Sequence, residues 1–302
     1  MIMETSDNHD AAEIFEQHRA KLVSLAYRLL GRMGEAEEVV QDAFLRWFGT
    51  DRTAIREPRA FLITTVTRLA LDRLKSAQAR REQYVGPWLP EPVLTDKEHG
   101  SVLDTLEERD LISLGMLRLL ERLSAAERGV FVLREAFDLS YDEIAAMLDL
   151  DAANCRQLYG RAQKRLAGER ARFAPSREEH ARLLQEFHRA AGLGDIASLH
   201  ALLAESVVAY NDGGGRVRAA LKPVYGADRV ARLYAGLASK YASIMETARY
   251  IDVNGAPALV YQLGGNPYVL SIEVEDGRIC NIYSVANPEK LAHLQRQLLA
   301  PN

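Results

Sequence analysis

The segment from Ser140 to Leu166 contains two helix-start signals separated by a short turn. Ser140 and Glu143 match a capping box, so a first helix is expected to begin there. Asp149 and Asp151 supply a turn and a new N-cap, which limits this first helix to about two turns. The segment is therefore restricted to a helix-turn-helix. The apolar side of its first helix consists of Ile144, Ala145 and Leu148.

The second helix of this motif separates apolar from basic and amide side chains. Its inward positions at helical spacing are Cys155, Leu158, Ala162 and Leu166. Its outward positions are Asn154, Arg156, Gln157, Arg161, Lys164 and Arg165. Arginine, asparagine and glutamine pair with base edges and lysine neutralises phosphates, so this face suits DNA. The segment alone also fits an ordinary surface helix with solvated charges.

The composition is that of a globular protein with several cores. The chain has 302 residues, of which 48% are hydrophobic and 26% charged, enough for two or three domains. No apolar run matches a membrane helix, and the polar start lacks the features of a signal peptide, so we expect a cytoplasmic protein without membrane contact. Two unrelated cysteines and scattered histidines favour neither a disulfide nor a metal, and we expect no cofactor.

The charge is unevenly distributed along the chain. The net charge is −4 and the pI about 6.0, which argues against binding nucleic acid by bulk electrostatics. Basic residues nevertheless concentrate in 68–81 and 156–172, and acids in 35–42 and 96–110. Two local basic surfaces on an acidic protein favour DNA contact as part of a larger complex.

Four segments follow one another in the sequence. Residues 10–82 and 102–173 have helical periodicity, and residues 83–101 are a proline-rich linker containing WLPEP. The linker tryptophan, Trp88, is either tucked against a helix or part of a docking site. Residues 178–299 mix helices with strands, because apolar and polar residues alternate over 268–275 and Asn-Gly and Asp-Gly pairs indicate hairpins. Helices laid over a curved antiparallel sheet would form an α+β cone.

Three segments resemble group 4, or extracytoplasmic function, sigma factors. AEEVVQDAFLRW (36–47) is similar to their polymerase-binding segment, residues 57–82 to their −10 reading helix, and residues 140–166 to their −35 reading motif. The tail resembles SnoaL-like, or NTF2-like, domains. WLPEP (88–92), NDGGGR (211–216) and NPEKL (287–291) are similar to motifs of the SigJ-like subgroup.

The resemblance implies a multidomain fold: two all-α sigma domains, the second with the helix-turn-helix, and a C-terminal NTF2-like cone. It implies a factor that binds core RNA polymerase, directs initiation at particular promoters, and is regulated in cis by its tail. Two positions depart from the family pattern. Thr67-Arg68 replaces a usual Arg-Asn pair in the −10 helix, and Asp149 replaces the usual turn glycine.

The resemblance also implies the functional residues. Those facing the clamp helices of core polymerase would be Glu38, Gln41 and Asp42. Those near the −10 element would be Arg68 and Arg73, and those at the −35 element Arg156, Gln157, Arg161 and Lys164. The regulatory contacts would be Trp88, Leu89, Pro90, Asp212, Gly213, Gly214, Gly215, Arg216, Asn287 and Pro288.

The role of the tail has more than one interpretation at this stage. We expect the loop 211–216, or the end at 287–291, to dock against linker residues 88–92. The tail could also sense a small ligand in its pocket. The rival interpretation is an isomerase or cyclase that uses a carboxylate such as Asp212 as base. No second acid or histidine accompanies Asp212 in its motif, so we expect no enzyme activity.

Overall fold

The computed structural model describes residues 2–81, 83–95, 112–167, 176–240, 247–263 and 265–299. These residues belong to two compact units. The first contains the described residues up to Arg80 and from Leu119 to Gly168, and the second those of Arg81–Ser101, Ile112–Arg118 and Glu169–Asn302. Every helix among the described residues is too short or too polar to span a membrane.

The first unit is entirely helical. Its N-terminal half consists of α1 (Ile2–Leu30), α2 (Met33–Phe48), a 3-10 turn (Arg52–Ala54) and α3 (Pro58–Arg81). Proline fits the first helical position of α3, because that position needs no intrahelical N–H. Trp47 lies in the core, where its indole nitrogen donates to the Ala11 carbonyl at 2.9 Å.

The C-terminal half of this unit contains the expected helix-turn-helix. The helices of this half are α4 (Leu114–Leu120), α5 (Ala125–Phe137), α6 (Tyr141–Leu148) and α7 (Ala152–Leu166), and α6 and α7 form the helix-turn-helix. The residues of α4 up to Arg118 belong to the second unit. Capping boxes begin α5 at Ser124 and α6 at Ser140. Asp149 ends α6 in the left-handed conformation, with φ 57° and ψ 48°. Leu148 is only half-buried at the end of α6, and Met147 is buried instead.

The second unit is built on one six-stranded sheet. Its elements are α8 (Arg177–Gly192), α9 (Ile196–Leu202), β1 (Leu203–Asp212), β2 (Val224–Tyr225), α10 (Ala227–Lys240), β3 (Arg249–Val253), β4 (Ala256–Leu263), β5 (Asn266–Glu275), β6 (Arg278–Val285) and α11 (Pro288–Leu299). The strand order is β2-β1-β6-β5-β4-β3, with β1 and β6 parallel and the other pairs antiparallel. Asn254 and Asp276 have positive φ at the expected hairpin turns.

Each face of this sheet has its own hydrophobic core. One face packs against α8, α9 and α10 through residues such as Phe187, Leu199 and Val230. The other face packs against Leu89 and Leu94 of the linker, Leu114 of α4, and α11. The linker is thus part of the fold of the C-terminal domain. The observed architecture, helical domains followed by an α+β domain, agrees with the prediction from the sequence.

Candidate functional site

The outward face of α7 carries the side chains expected at DNA. Arg156, Gln157 and Lys164 are exposed on this face. The Asp151 carboxylate accepts from the Asn154 amide at 2.7 Å and fixes the start of the helix. The Arg156 guanidinium lies 5.8 Å from the ring centroid of Tyr141, a cation–π contact with α6. The N-terminal half of α7 is therefore both ordered and open to a ligand.

Arg161 lies close to a carboxylate of α5, a contact that the sequence did not predict. Its Nε lies 3.7 Å from the carboxylate of Glu127, and Arg165 lies 3.4 Å from the same group. The Glu127 side chain is only 3% exposed and also forms the capping box of α5. A buried carboxylate therefore connects α5 with the C-terminal half of α7. In the sequence, Glu127 follows Ser124 at the spacing of a capping box. That pattern predicted the helix cap and gave no sign of the contact with Arg161 and Arg165.

The residues expected at polymerase and at the −10 element adjoin each other on α2 and α3. The Arg73 guanidinium forms ion pairs with both Glu38 and Asp42, the second at 3.0 Å. Gln41 is exposed on the same helix. All three charged groups remain partly exposed, so these pairs are only weakly stabilising and are open to exchange. Arg68 donates to the Met147 carbonyl of α6 at 2.8 Å.

In the second unit, Asp212 is the centre of a buried polar network. It is the last residue of β1 and has no exposed surface. Oδ1 accepts from the Tyr84 hydroxyl at 2.6 Å, and Oδ2 accepts from the Leu89 amide at 2.8 Å and from Lys290 Nζ at 2.6 Å. Both carboxylate oxygens are therefore occupied by the linker and α11, which argues against a role as catalytic base.

Lys290 completes this network from α11. Its ammonium group is buried and donates to the Leu89 carbonyl as well as to Asp212. It also lies 4.1 Å from the Trp88 ring centroid and 4.7 Å from that of Tyr84. The charge is thus balanced by one carboxylate, one carbonyl and two aromatic faces. We define these residues, Tyr84, Trp88, Leu89, Asp212, Asn287 and Lys290, as the linker latch.

The glycine loop and α11 fit closely together in the linker latch. Asn287 precedes Pro288, and its carboxamide oxygen caps α11 by accepting from the Glu289 amide at 3.0 Å. Its Nδ2 donates to the Tyr84 hydroxyl at 2.8 Å. A Cβ added at Gly214, where φ is 58°, would lie 2.2 Å from Nδ2. The glycine is therefore required both by its backbone conformation and by this contact.

Most of the expected regulatory residues lie at or beside the linker latch. Trp88, Leu89, Asp212 and Asn287 are members, Gly214 touches it, and Gly215 lies against Val85 of the linker. Arg216 instead forms an exposed pair with Glu289 at 2.9 Å. Sequence reasoning did not select Tyr84 or Lys290. Lys290 could have been selected because it lies within the NPEKL motif. Tyr84 lies outside all three motifs, and nothing in the sequence around it pointed to this site.

A second contact region lies at the far edge of the sheet. The linker forms an antiparallel bridge there, with Leu94 opposite Val253. Asn254 exchanges bonds with Val93: its amide donates to the Val93 carbonyl at 2.9 Å, and its Oδ1 accepts from the Val93 amide at 3.0 Å. Its Nδ2 donates to the Ile112 carbonyl at 2.7 Å. The Asn-Gly pair indicated only a turn, whereas the side chain joins two distant segments.

The start of α4 packs on the same face of the sheet. A Cβ at Gly115 would lie 2.7 Å from the Glu273 carboxylate and 3.0 Å from the Tyr283 hydroxyl. The Arg118 guanidinium lies 3.8 Å from the Tyr210 ring centroid. The C-terminal domain therefore contacts both the linker and the first residues after it. Among the described residues, no cluster of three histidine, cysteine or carboxylate side chains could hold a metal.

Comparison with known proteins identifies relatives of the two helical regions and of the chain as a whole. The family model for sigma-70 region 2 matches residues 14–80, and that for sigma-70 region 4 matches residues 113–166. The ECF RNA polymerase sigma factor SigJ of Mycobacterium tuberculosis is 34% identical over 91% of this chain and 91% of its own length. The probable ECF sigma factor SigI of the same species is 33% identical, covering 97% and 99%. The crystal structure of SigJ superposes with a TM-score of 0.78 at 32% identity, covering 93% of this chain and 98% of that one.

The two helical regions and their helix-turn-helix define a sigma-70-type transcription initiation factor. The chain belongs to the extracytoplasmic function sigma factors. It directs transcription by interacting with RNA polymerase and promoter DNA, and it is a transcription factor rather than an enzyme. We refer below to residues 14–80 as region 2 and to residues 113–166 as region 4.

Proposed function

We propose that the C-terminal domain regulates this sigma factor in cis by holding the linker between regions 2 and 4. One observation carries the proposal: the buried Asp212–Lys290 pair directs both of its charges at the backbone of Leu89. Asp212 accepts a hydrogen bond from the Leu89 amide, and Lys290 donates one to the Leu89 carbonyl. The two buried charges therefore hold both backbone polar groups of Leu89 in place. The linker then acts as a spacer of fixed conformation that connects regions 2 and 4.

The roles of the two regions follow from their exposed side chains. Glu38, Gln41 and Asp42 of α2 present carboxylates and an amide to the clamp helices of core polymerase, in the cytoplasm where the enzyme acts. Arg68 and Arg73 serve the −10 element. Arg156 and Gln157, with Arg161, read the −35 element, and Lys164 neutralises a phosphate. These assignments rest on the exposure of the side chains and on their positions in regions 2 and 4.

Transcription by purified core polymerase tests regulation in cis. We compare the full chain with the variants Asp212→Asn and Lys290→Met, on a promoter that the wild type uses. Release of the linker lowers the effective concentration of one region once the other is bound, so we expect promoter output to fall about tenfold or more. The control is Asp228→Asn, which removes an exposed pair with Arg232 on α10. Unchanged output from both latch variants would refute the proposal.

Binding of a small ligand is a second candidate role for the C-terminal domain. Asn211 Nδ2 is buried and has no hydrogen-bond partner among the described residues. Asn211 alternates with Asp212 along β1 and so faces the side of the sheet covered by α8–α10. Native mass spectrometry of the purified full chain tests this role. A bound small molecule that is absent from Asn211→Leu would support it, and an unchanged mass in both would oppose it.

A further inference from the structure

Gly160 lies near the centre of α7, a position where glycine weakens a helix. The helix runs from Ala152 to Leu166. Glycine loses more conformational freedom on folding than alanine does, so alanine at this position would give a more stable helix. The stability of α7 therefore does not explain this glycine.

The surroundings of Gly160 do not require glycine either. In the part of the chain that the structure describes, a Cβ added there would have no heavy atom within 4 Å, apart from the adjoining helix backbone. Its backbone is helical, without the positive φ that favours glycine. Gly214 of the glycine loop differs on both counts, since its φ is 58° and an added Cβ would lie 2.2 Å from Asn287. The reason for Gly160 therefore lies outside the packing of the chain.

Gly160 is on the side of α7 that faces away from the core. On the opposite side lie the buried residues of the helix, Cys155, Leu158, Ala162 and Leu166. Arg156 and Lys164 lie one turn before and one turn after Gly160 on its own side, and both are exposed. The missing side chain therefore leaves a gap between two cations on the outer surface of α7.

The long side chains beside this gap are held by other groups. The Arg156 guanidinium lies 5.8 Å from the ring centroid of Tyr141 in α6. Gln163 donates from Nε2 to the Tyr159 hydroxyl at 2.9 Å, and Tyr159 in turn donates to Glu135 of α5. Neither long side chain fills the gap, because the space around an added Cβ is empty. The backbone of α7 is therefore accessible to a partner at this point.

We infer that Gly160 lets a sugar–phosphate strand of promoter DNA approach the backbone of α7. A helix that reads DNA places its N-terminal residues on base edges in the major groove, which is about 12 Å wide. At a rise of about 1.5 Å per residue, α7 meets the wall of such a groove near Gly160. A Cβ there would hold the helix away from the strand and draw Arg156 back from the bases. The inference rests on the contact of α7 with the −35 element proposed above.

The substitution Gly160→Ala separates DNA approach from stability, because the two effects have opposite signs. Alanine favours the helix, so the urea midpoint of the free full chain, followed by circular dichroism, should rise. Holoenzyme binding to a promoter fragment that includes the −35 element should weaken about tenfold, as expected for the loss of one base contact. On a fragment that ends downstream of the −35 element, variant and wild type should bind alike.

Gly236→Ala is the matched control, since an added Cβ in α10 also has no atom within 4 Å. This control should raise the urea midpoint without changing promoter affinity. Gly160→Leu should weaken promoter binding more than Gly160→Ala does, because its side chain is larger. Wild-type affinity in both Gly160 variants, a lower urea midpoint for Gly160→Ala, or an equal loss on the fragment without the −35 element would overturn the inference.

Arg156→Ala distinguishes failure of the proposed function from failure of this inference. If Arg156→Ala changes −35 base preference while Gly160→Ala keeps full affinity, α7 reads bases and the role of Gly160 is wrong. If Gly160→Ala weakens binding as expected while Arg156→Ala leaves base preference unchanged, the strand approaches α7 at Gly160 and the reading role of Arg156 is wrong.

Discussion

Lys290 Nζ lies 2.6 Å from Asp212 Oδ2, and neither side chain is more than 1% exposed. Each charge has lost its water, so each depends on the other and on the Leu89 backbone. Removing one partner of such a pair is more costly than removing both, because an uncompensated charge stays buried. The pair therefore makes the fold of the C-terminal domain depend on a docked linker.

We first predict the effect of breaking this pair. Asp212→Asn or Lys290→Met alone should destabilise the second unit by about 3–5 kcal/mol, whereas the two changes combined should cost less than the sum of the single changes. Urea unfolding of the full chain, followed by Trp88 fluorescence in a Trp47→Phe background, measures these effects. Strictly additive losses would show that the two charges do not interact.

A second prediction concerns the glycine loop. Gly214→Ala should release the linker, because the new Cβ would lie 2.2 Å from Asn287 Nδ2 at a backbone position with φ of 58°. Hydrogen exchange at the Leu89 amide, which donates to Asp212, should become faster. Gly236→Ala in α10 is the matched control, since nothing lies within 4 Å of its Cβ. That change should stabilise the helix by about 0.5–1 kcal/mol and leave Leu89 protected.

The helices and turns could be predicted from local sequence signals. The residues of the linker latch, in contrast, are brought together by contacts between segments that are distant in the sequence. The capping boxes at Ser124 and Ser140 and the turn at Asn254 depend on neighbouring residues, so their patterns were sufficient. The Tyr84 bond to Asp212 spans 128 residues, and no pattern in the linker indicated it. The resemblance to the sigma-factor family singled out the motifs at 88–92, 211–216 and 287–291. Which of their residues contact one another depends on how the linker crosses the sheet.

Arg128 shows a second limit of sequence reasoning. Arginine on a helix normally belongs to the solvent face, and its hydrogen-bond partner in region 2 lies 100 residues away. A buried arginine is recognisable only when the acceptor that meets it is known. The contact between the two regions was therefore absent from the sequence-based interpretation.

Stability of the second unit should depend on pH through two histidines of α8. Burial lowers the pKa of His180 and His188 below 6.5, the value in an unfolded chain. The folded state favours the neutral rings, so their contribution is complete above pH 6.5 and is lost as the pH falls from there towards the lowered values.

Urea midpoints between about pH 8 and pH 5 should show this loss, because the unfolded chain titrates in that window. His180→Gln with His188→Gln should flatten the profile below neutral pH. His9→Gln, at an exposed histidine of α1, should not. A wild-type midpoint that stays constant or rises on acidification would contradict the expected direction of the pH dependence.

We expect two kinds of DNA contact from α7. Arg156→Ala should cost about 1–3 kcal/mol of discrimination at one −35 position, and Lys164→Ala should weaken all sequences alike. Arg161→Ala should have the smaller effect on base preference, since Arg161 is drawn towards Glu127. Binding of holoenzyme to promoter variants at fixed salt measures these differences. Equal loss on every sequence for all three variants would exclude direct readout.

The last prediction separates the two contacts of Asn254. Asn254→Asp keeps an oxygen for the Val93 amide and tolerates the φ of 53°, but it replaces the donor that faces the Ile112 carbonyl with a carboxylate. Asn254→Gly keeps the backbone conformation and removes both side-chain bonds.

Because a buried carboxylate facing a carbonyl lacks a donor, Asn254→Asp should loosen the start of α4 while the Val93 amide stays protected from hydrogen exchange. Asn254→Gly should expose the Val93 amide as well. Exchange at Val93 and in residues 112–118 is read from the same full-length sample. If both variants loosen both segments equally, Asn254 acts only through the hairpin backbone and does not join the linker to the segment that begins at Ile112.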